Sequence, residues 1–255
     1  QPQIIVQDIS GNTVTNSTAA ITVESSGSVL SGNSTPPTLA NGVATFSGLT
    51  LTGDDNTFVL TYKSTGLADA SQNITVAYGA ATKLILTTSP LGFVNRTNFT
   101  TQPVITVQDA SGNTVGNSAI SIDVSSDTGD VTGTTRINAV NGVATFAGLG
   151  KTGTIGLKTL TFTDTAGLLT VDTKQFTLTH GAAHHTTLAV ASTLVNATEF
   201  STQPLVAIYD EDNNVVTSGS QSTQTVTLTV TGASAVAIGG AVTMDSAAGV
   251  ANFPG

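Results

Sequence analysis

The chain has 255 residues, no cysteine and a formal net charge of −9, and only 9% of its residues are charged. Its basic residues (Lys63, Lys83, Arg96, Arg136, Lys151, Lys158, Lys174) are scattered, so no basic patch points to nucleic acid. The lack of cysteine excludes a disulfide framework and thiolate metal sites, and no apolar run reaches the roughly 18 residues that a membrane-spanning helix needs.

The first stretch, Gln1-Pro-Gln-Ile-Ile-Val-Gln-Asp-Ile-Ser-Gly-Asn-Thr-Val14, recurs as Gln102-Pro-Val-Ile-Thr-Val-Gln-Asp-Ala-Ser-Gly-Asn-Thr-Val115. It recurs again as Gln203-Pro-Leu-Val-Ala-Ile-Tyr-Asp-Glu-Asp-Asn-Asn-Val-Val216, so both steps are 101 residues. A fixed period of this kind marks repeated units on one chain. Strand side chains alternate between faces. One face carries Ile4 and Val6, then Ile105 and Val107, then Val206 and Ile208, and is expected to be buried. The other face varies (Gln3/Ile5/Gln7, Val104/Thr106/Gln108, Leu205/Ala207/Tyr209) and is expected to face outward. Each strand runs into Asp8, Asp109 or Asp210, which can bond the backbone two residues on and start a turn. Gly11, Gly112 and Asn213 follow, the residue types that best tolerate a left-handed backbone.

Further along the first repeat, Asn41-Gly-Val-Ala-Thr-Phe46 opens with a hairpin signal. Phe58, Leu60 and Tyr62 predict one later strand, and Ile74 and Val76 another. The linkers are Ala77-Tyr-Gly-Ala-Ala-Thr82 and Thr179-His-Gly-Ala-Ala-His184, short enough to predict a semi-rigid rod. The second repeat is complete. It predicts strands over 83–87, 104–109, 120–124, 134–140, 143–146, 157–163 and 174–178, with loops over 90–99 and 127–133 and a hairpin at Asn141-Gly142. The third repeat predicts a first strand over 187–191 and stops at Gly249-Val-Ala-Asn-Phe253. The expected architecture is all-β: tandem immunoglobulin-like Greek-key β-sandwich domains at 1–78, 79–180 and 181–255.

The first repeat lacks its opening strand and the third lacks its last two. The simplest expectation is a segment of a longer array; the sharper one is that a neighbouring subunit supplies each strand by β-addition. There is no initiator Met or signal peptide, so the chain is expected to be processed or to be part of something longer.

The run Ala81-Thr-Lys-Leu-Ile-Leu-Thr, the stretch from Gln102 to Val115 and Asn141-Gly-Val-Ala-Thr-Phe-Ala-Gly-Leu149 together resemble prokaryotic Ig-like surface repeats. Such repeats occur in surface-layer proteins, invasin-type adhesins and cell-envelope fibres. The resemblance covers essentially the whole chain and implies a fold rather than one function. It brings no catalytic residues.

Three places invite chemistry. His180, His184 and His185 cluster and could bind Zn or Ni. His180 replaces Tyr78, however, and His184 replaces Thr82, so a linker surface is the better reading. Alternate oxygens at Asp210, Asp212 and Asn214 could hold Ca²⁺, but the twelve-residue loop with its terminal Glu is absent and a turn is the better reading. Asp54-Asp55 and the Asp127/Asp130 loop are weaker cases. Sequons begin at Asn16, Asn33, Asn73, Asn95, Asn98 and Asn196, no more than a Ser/Thr-rich chain yields by chance. Neither a nucleophile elbow nor a histidine-centred triad is evident, and Glu24, Glu199 and Glu211 offer no glycosidase pair. No catalytic, cofactor-binding or metal residue is therefore assigned, and no enzyme activity is expected.

The function expected is structural. An extracellular, cell-surface repeat protein would form a surface layer, sheath or filament through domain contacts. Its partners would be other copies of itself or cell-envelope components. The alternative is the stalk of a cell-surface adhesin. A carbohydrate-binding accessory module would need an exposed aromatic platform, and the chain has no Trp and only Tyr62, Tyr78 and Tyr209.

Overall fold

The computed structural model describes residues 1–32, 38–53, 55–169, 172–190, 198–231 and 237–254. Among them every regular element is a strand except one 3-10 turn, Ser220–Ser222. The chain falls into two compact units. One joins Gln1–Lys83 with Val107–Ser118 and Val140–Gly142; the other joins Leu84–Thr106 with Ala119–Ala139 and Val143–Gly255.

In the first unit, Gln3–Ile5 pairs antiparallel with Val43–Thr45. A three-stranded sheet sets Asn56–Lys63 between Thr22–Ser25 and Ala70–Val76. Phe58, Leu60 and Tyr62 alternate inward from its middle strand, as the period of two requires. Leu60 and Tyr62 belong to a core with Val6, Ile21, Ala44 and Phe46, and the Phe46 and Tyr62 rings lie 5.5 Å apart.

The second unit repeats this plan. Val104–Thr106, the part of the strand Val104–Asp109 that lies in this unit, pairs with Val143–Thr145, matching Ile105 to Ala144. A four-stranded sheet runs in the order Arg136–Asn138, Ser121–Ser126, Gly156–Asp164, Asp172–Leu178. Phe146, next to the first of these sheets, and Phe162, in the second, place their rings 5.8 Å apart. They are the counterparts of Phe46 and Tyr62. Burying each such ring contributes about 1.5–3 kcal/mol. Farther along, Leu205–Tyr209 lies between His185–Ala189 and Val250–Asn252, with Val206, Ala251 and Phe253 as core. The fold is all-β and Ig-like.

The hairpin glycines act through close approach. Asn141 and Gly142 take φ 50° and 76°, the left-handed pair of a type I′ turn. A Cβ on Gly142 would stand 2.5 Å from the Val115 carbonyl. The third repeat keeps this geometry with Ala248 (φ 48°) and Gly249 (φ 78°).

Several expectations are corrected. The predicted strand 134–140 is only Arg136–Asn138, and the third repeat's first strand is His185–Ala189 rather than 187–191. A small sheet of Val131–Thr132, Gly150–Lys151 and Thr97–Asn98 lies partly in segments expected to be loops. Two-residue strands have no length in which to display alternation. Gly150 lets the pair close, since a Cβ there would lie 2.5 Å from the Thr97 carbonyl. The outward faces also differ. Gln3, Ile5 and Gln7 are exposed, but Thr106 and Ala207 are buried. Both lie on middle strands, where small side chains are shaded by cross-strand neighbours. For Ala207 these are Thr187 and Val250.

Candidate functional site: the Asp-Asn turns and the linker glycines

The three repeated turns share one internal geometry. Asp8 Oδ1 accepts the backbone N–H of Ser10 and of Asn12, both at 2.9 Å. Asp109 and Asp210 accept those of Asn113 and Asn214, also at 2.9 Å. The side-chain amides of Asn12, Asn113 and Asn214 donate to the other carboxylate oxygen at 3.1, 3.2 and 3.0 Å. Gly11 (φ 82°), Gly112 (φ 93°) and Asn213 (φ 62°) reverse the chain, as the residue types predict.

In the second and third copies the turn does more. Asp109 Oδ2 accepts the backbone N–H of the linker residue Gly79 at 3.1 Å, and Asn113 Nδ2 donates to the Gly53 carbonyl at 3.1 Å. Asp210 Oδ2 accepts the N–H of Gly181 at 2.9 Å, and Asn214 Nδ2 donates to the Gly153 carbonyl at 2.9 Å. These contacts are equivalent. Each turn clasps the linker before its own repeat and a loop of the repeat before that. The linker glycine is needed for the approach: a Cβ on Gly181 would lie 2.8 Å from the Asn95 carbonyl.

The junction at Asp210 is reinforced. Asn95, 1% exposed, donates to Asp210 and Asp212, each at 2.8 Å, and accepts the Gly153 N–H at 3.0 Å. The Arg96 guanidinium grips Asp212 through Nε at 2.9 Å and Nη2 at 2.8 Å, and reaches Glu211 at 2.9 Å. Asn214 Oδ1 accepts the Ile155 N–H at 3.0 Å.

The electrostatics follow. The Arg96 hydrogen bond, aided by Asn95 and Gly153, holds the Asp212 carboxyl down at about 2 against the cost of burial. Burial works to raise Asp210, but the N–H groups of Gly181, Asn214 and Asn95 outweigh it and keep its carboxyl below the ordinary range. Asp109 is likewise held low, with Asn113 and Gly79 outweighing burial.

The stretch 210–214 is therefore a hydrogen-bonded joint whose oxygens are directed at N–H donors and at the guanidinium of Arg96. Sequence reasoning found its acidic half. It missed Asn95 and Arg96, which lie in a segment expected to be a plain loop. The available signal was Asn95 beside Arg96, one of the chain's two arginines.

Of the other sequence candidates, His184 lines a small cavity together with Asn95, Arg96, Gly181, Asp210 and Glu211. His180 Nδ1–H donates to the Gly181 carbonyl at 2.9 Å, while Nε2 accepts the Ser218 N–H at 3.1 Å. His184 and His185 face each other, and His185 stacks on Tyr209 with centroids 5.5 Å apart. Among the described residues no group of three or more His, Asp or Glu side chains is placed to hold a metal ion. Asp127 accepts the N–H of Thr128 and Thr159. Its loop carries its own cation: the buried Lys151 ammonium donates to the carbonyls of Thr128 and Thr152, and burial lowers its pKa. Asp54, Asn33 and Asn196 lie outside the described residues. The Asn95 sequon is buried in the joint, whereas Asn16, Asn73 and Asn98 are exposed. Tyr62 is core.

No family model matches the chain, and no curated protein matches it in sequence. Solved structures similar to it include Yersinia pseudotuberculosis InvD, at 19% identity and a TM-score of 0.41, over 98% of this chain and 78% of that one. Domains 4–9 of surface layer protein SbsC are similar at 16% identity and a TM-score of 0.30, over 98% of this chain and 37% of theirs. Bacteroides uniformis beta-glucuronidase 3 is similar at 14% identity and a TM-score of 0.31. That likeness covers 62% of this chain, which spans only 21% of the glycosidase. At these identities and TM-scores the likenesses carry no argument about activity or partner.

Proposed function

We propose that the chain is a structural repeat protein of the cell exterior, built from Ig-like repeats at 1–78, 79–180 and 181–255. It would contribute to a surface layer, sheath or filament by contacts with other copies of itself or with cell-envelope components. One observation carries this reading: the same Asp-Asn turn clasps a linker glycine at both junctions, Asp109 on Gly79 and Asp210 on Gly181. A free linker would leave the succession of repeats unset. Hydrogen-bonded joints couple each repeat to the next, which a load-bearing or spacing element needs and a catalyst does not. The low charge content adds to this, because a surface rich in hydroxyls and poor in charge repels like surfaces weakly.

The test is electron microscopy of the protein on and released from its producing cell, with and without a calcium chelator. Ordered sheets or filaments under both conditions are expected, since the joints described here use hydrogen bonds and Arg96 rather than a cation. Single unassembled particles under both conditions would sink the lattice reading and favour the stalk of an adhesin. Dissolution by the chelator alone would place a divalent cation between copies.

A further inference from the structure

We propose that Lys151 and Lys158 are specificity-determining residues of the second joint: with Arg96, their ammonium groups set this end of the second repeat to receive the acidic Asp210-Glu211-Asp212 turn in preference to a neutral one. The inference rests on the joints themselves, not on where the chain is located in or on a cell. The two joints differ at matching places. Gly53 and Gly153 are equivalent, and their carbonyls accept the Asn113 and Asn214 amides. Two residues before the glycine stands Leu51 in the first repeat and Lys151 in the second, and five residues after it stand Phe58 and Lys158. The first pair is apolar: Leu51 packs against the core of its repeat and Phe58 is buried. The second pair is cationic, and both lysines are buried. The docking turns differ in step. Asp109 is followed by Ala110 and Ser111, whereas Asp210 is followed by Glu211 and Asp212. The cationic pair backs the acidic turn, and the apolar pair backs the neutral one.

Burying two like charges is costly, and these are not neutralised in contact. Among the described residues neither lysine forms an ion pair. Lys151 donates to the carbonyls of Thr128 and Thr152, and Lys158 to the hydroxyls of Thr128 and Thr154, the latter two at 2.9 and 3.3 Å. Their charge is left to act at longer range, through an interior that screens poorly. Lys151 interacts in this way with Asp127 and Asp130 of its own repeat and, across the joint, with Asp212. The same lysine also holds the backbone that meets that carboxylate. Its ammonium bonds the Thr152 carbonyl at 2.9 Å, and the next residue, Gly153, donates its N–H to Asp212 Oδ2 at 3.2 Å. Apolar residues like Leu51 and Phe58 would fill these places without the desolvation cost. What the cations add is a choice of partner: an acidic turn is attracted, and a neutral turn leaves two buried ammonium groups with less compensation.

The test follows hydrogen exchange at the Gly181 amide in the whole chain, which reports opening of the second joint. The turn is made neutral by Glu211→Ala with Asp212→Ser, the residue types at 110 and 111. The lysine charges are removed by Lys151→Met with Lys158→Met, which keep most of the aliphatic stems. The neutral turn is expected to speed Gly181 exchange about tenfold with the lysines present, and about threefold or less with both replaced, as coupled neighbours should. Arg96 is unaltered throughout, so its own contacts with the turn are lost equally in both backgrounds. Unchanged protection at Gly79 and at the Phe162 amide shows that the first joint and the second repeat are folded. If the double lysine replacement exposes the Phe162 amide, Lys158→Met alone carries the comparison, since it leaves the Thr128 and Thr152 carbonyls on Lys151. Equal acceleration in the two lysine backgrounds overturns the proposal, because Arg96 alone would then select the turn. No acceleration with the lysines present also overturns it.

Discussion

Asp210 receives the backbone N–H of Gly181 at 2.9 Å while only 1% of its own surface is exposed. A buried carboxylate is costly unless its lone pairs are filled. Asn95, Asp212 and Asn214 supply the remaining donors. The residue that looks like a cation ligand in the sequence is the centre of a backbone clasp.

Removing that centre leaves several N–H groups without an acceptor. Asp210→Ala should cost about 3 kcal/mol, the loss of charge-assisted bonds plus unsatisfied donors. Urea unfolding measures it. Asp8→Ala, at an exposed turn, should leave the midpoint in place. Equal losses at the two positions would mean that the turns act only within their own repeats.

The Arg96–Asp212 pair is bidentate but partly exposed, with the arginine side chain 42% accessible. Its coupling should be about 1 kcal/mol in a double-mutant cycle of Arg96→Ala and Asp212→Ala. Molar salt should reduce that coupling, because exposed charges are screened. A salt-independent coupling would show that packing of the arginine, rather than its charge, holds the joint.

Much of the fold was legible. Period-two runs such as Phe58/Leu60/Tyr62 report a half-buried strand directly, and Asn141-Gly142 needs positive φ at both positions. The turns were legible too, because Asp and Gly act on their nearest neighbours. The joint was not. Gly181 and Asp210 are 29 residues apart, and Asn95 and Asp210 are 115 apart. No local propensity records a hydrogen bond at that separation. Ala207 was misread for a related reason: its burial depends on strands that flank it, not on its own alternation.

Acid should open the joints. The carboxyl of Asp212 is held at about 2, and those of Asp210 and Asp109 also lie below the ordinary value, near 3.9 in an unfolded chain. Between the folded and unfolded values the unfolded chain binds more protons, so stability rises with pH. The contribution is complete above the unfolded value and is lost as pH falls through the folded one. Thermal midpoints should therefore fall between about pH 4 and 2, and Asp212→Asn should make that fall shallower. A fall of unchanged slope in the variant would assign the acid limb to other carboxylates, such as Asp123 beside Arg136.

Tyr62 offers a test of the core by comparison within one chain. Its ring packs at 5.5 Å from Phe46, as Phe162 packs at 5.8 Å from Phe146. Its hydroxyl is buried and finds no partner among the described residues, and burial raises its pKa. The second repeat solves the same position with a phenylalanine. Tyr62→Phe removes an unsatisfied polar atom and keeps the ring, so it should be neutral or stabilising by up to about 1 kcal/mol. Tyr62→Ala should cost about 4 kcal/mol through the cavity it leaves. A clear loss on Tyr62→Phe would show that the hydroxyl is hydrogen-bonded in solution, as by a buried water.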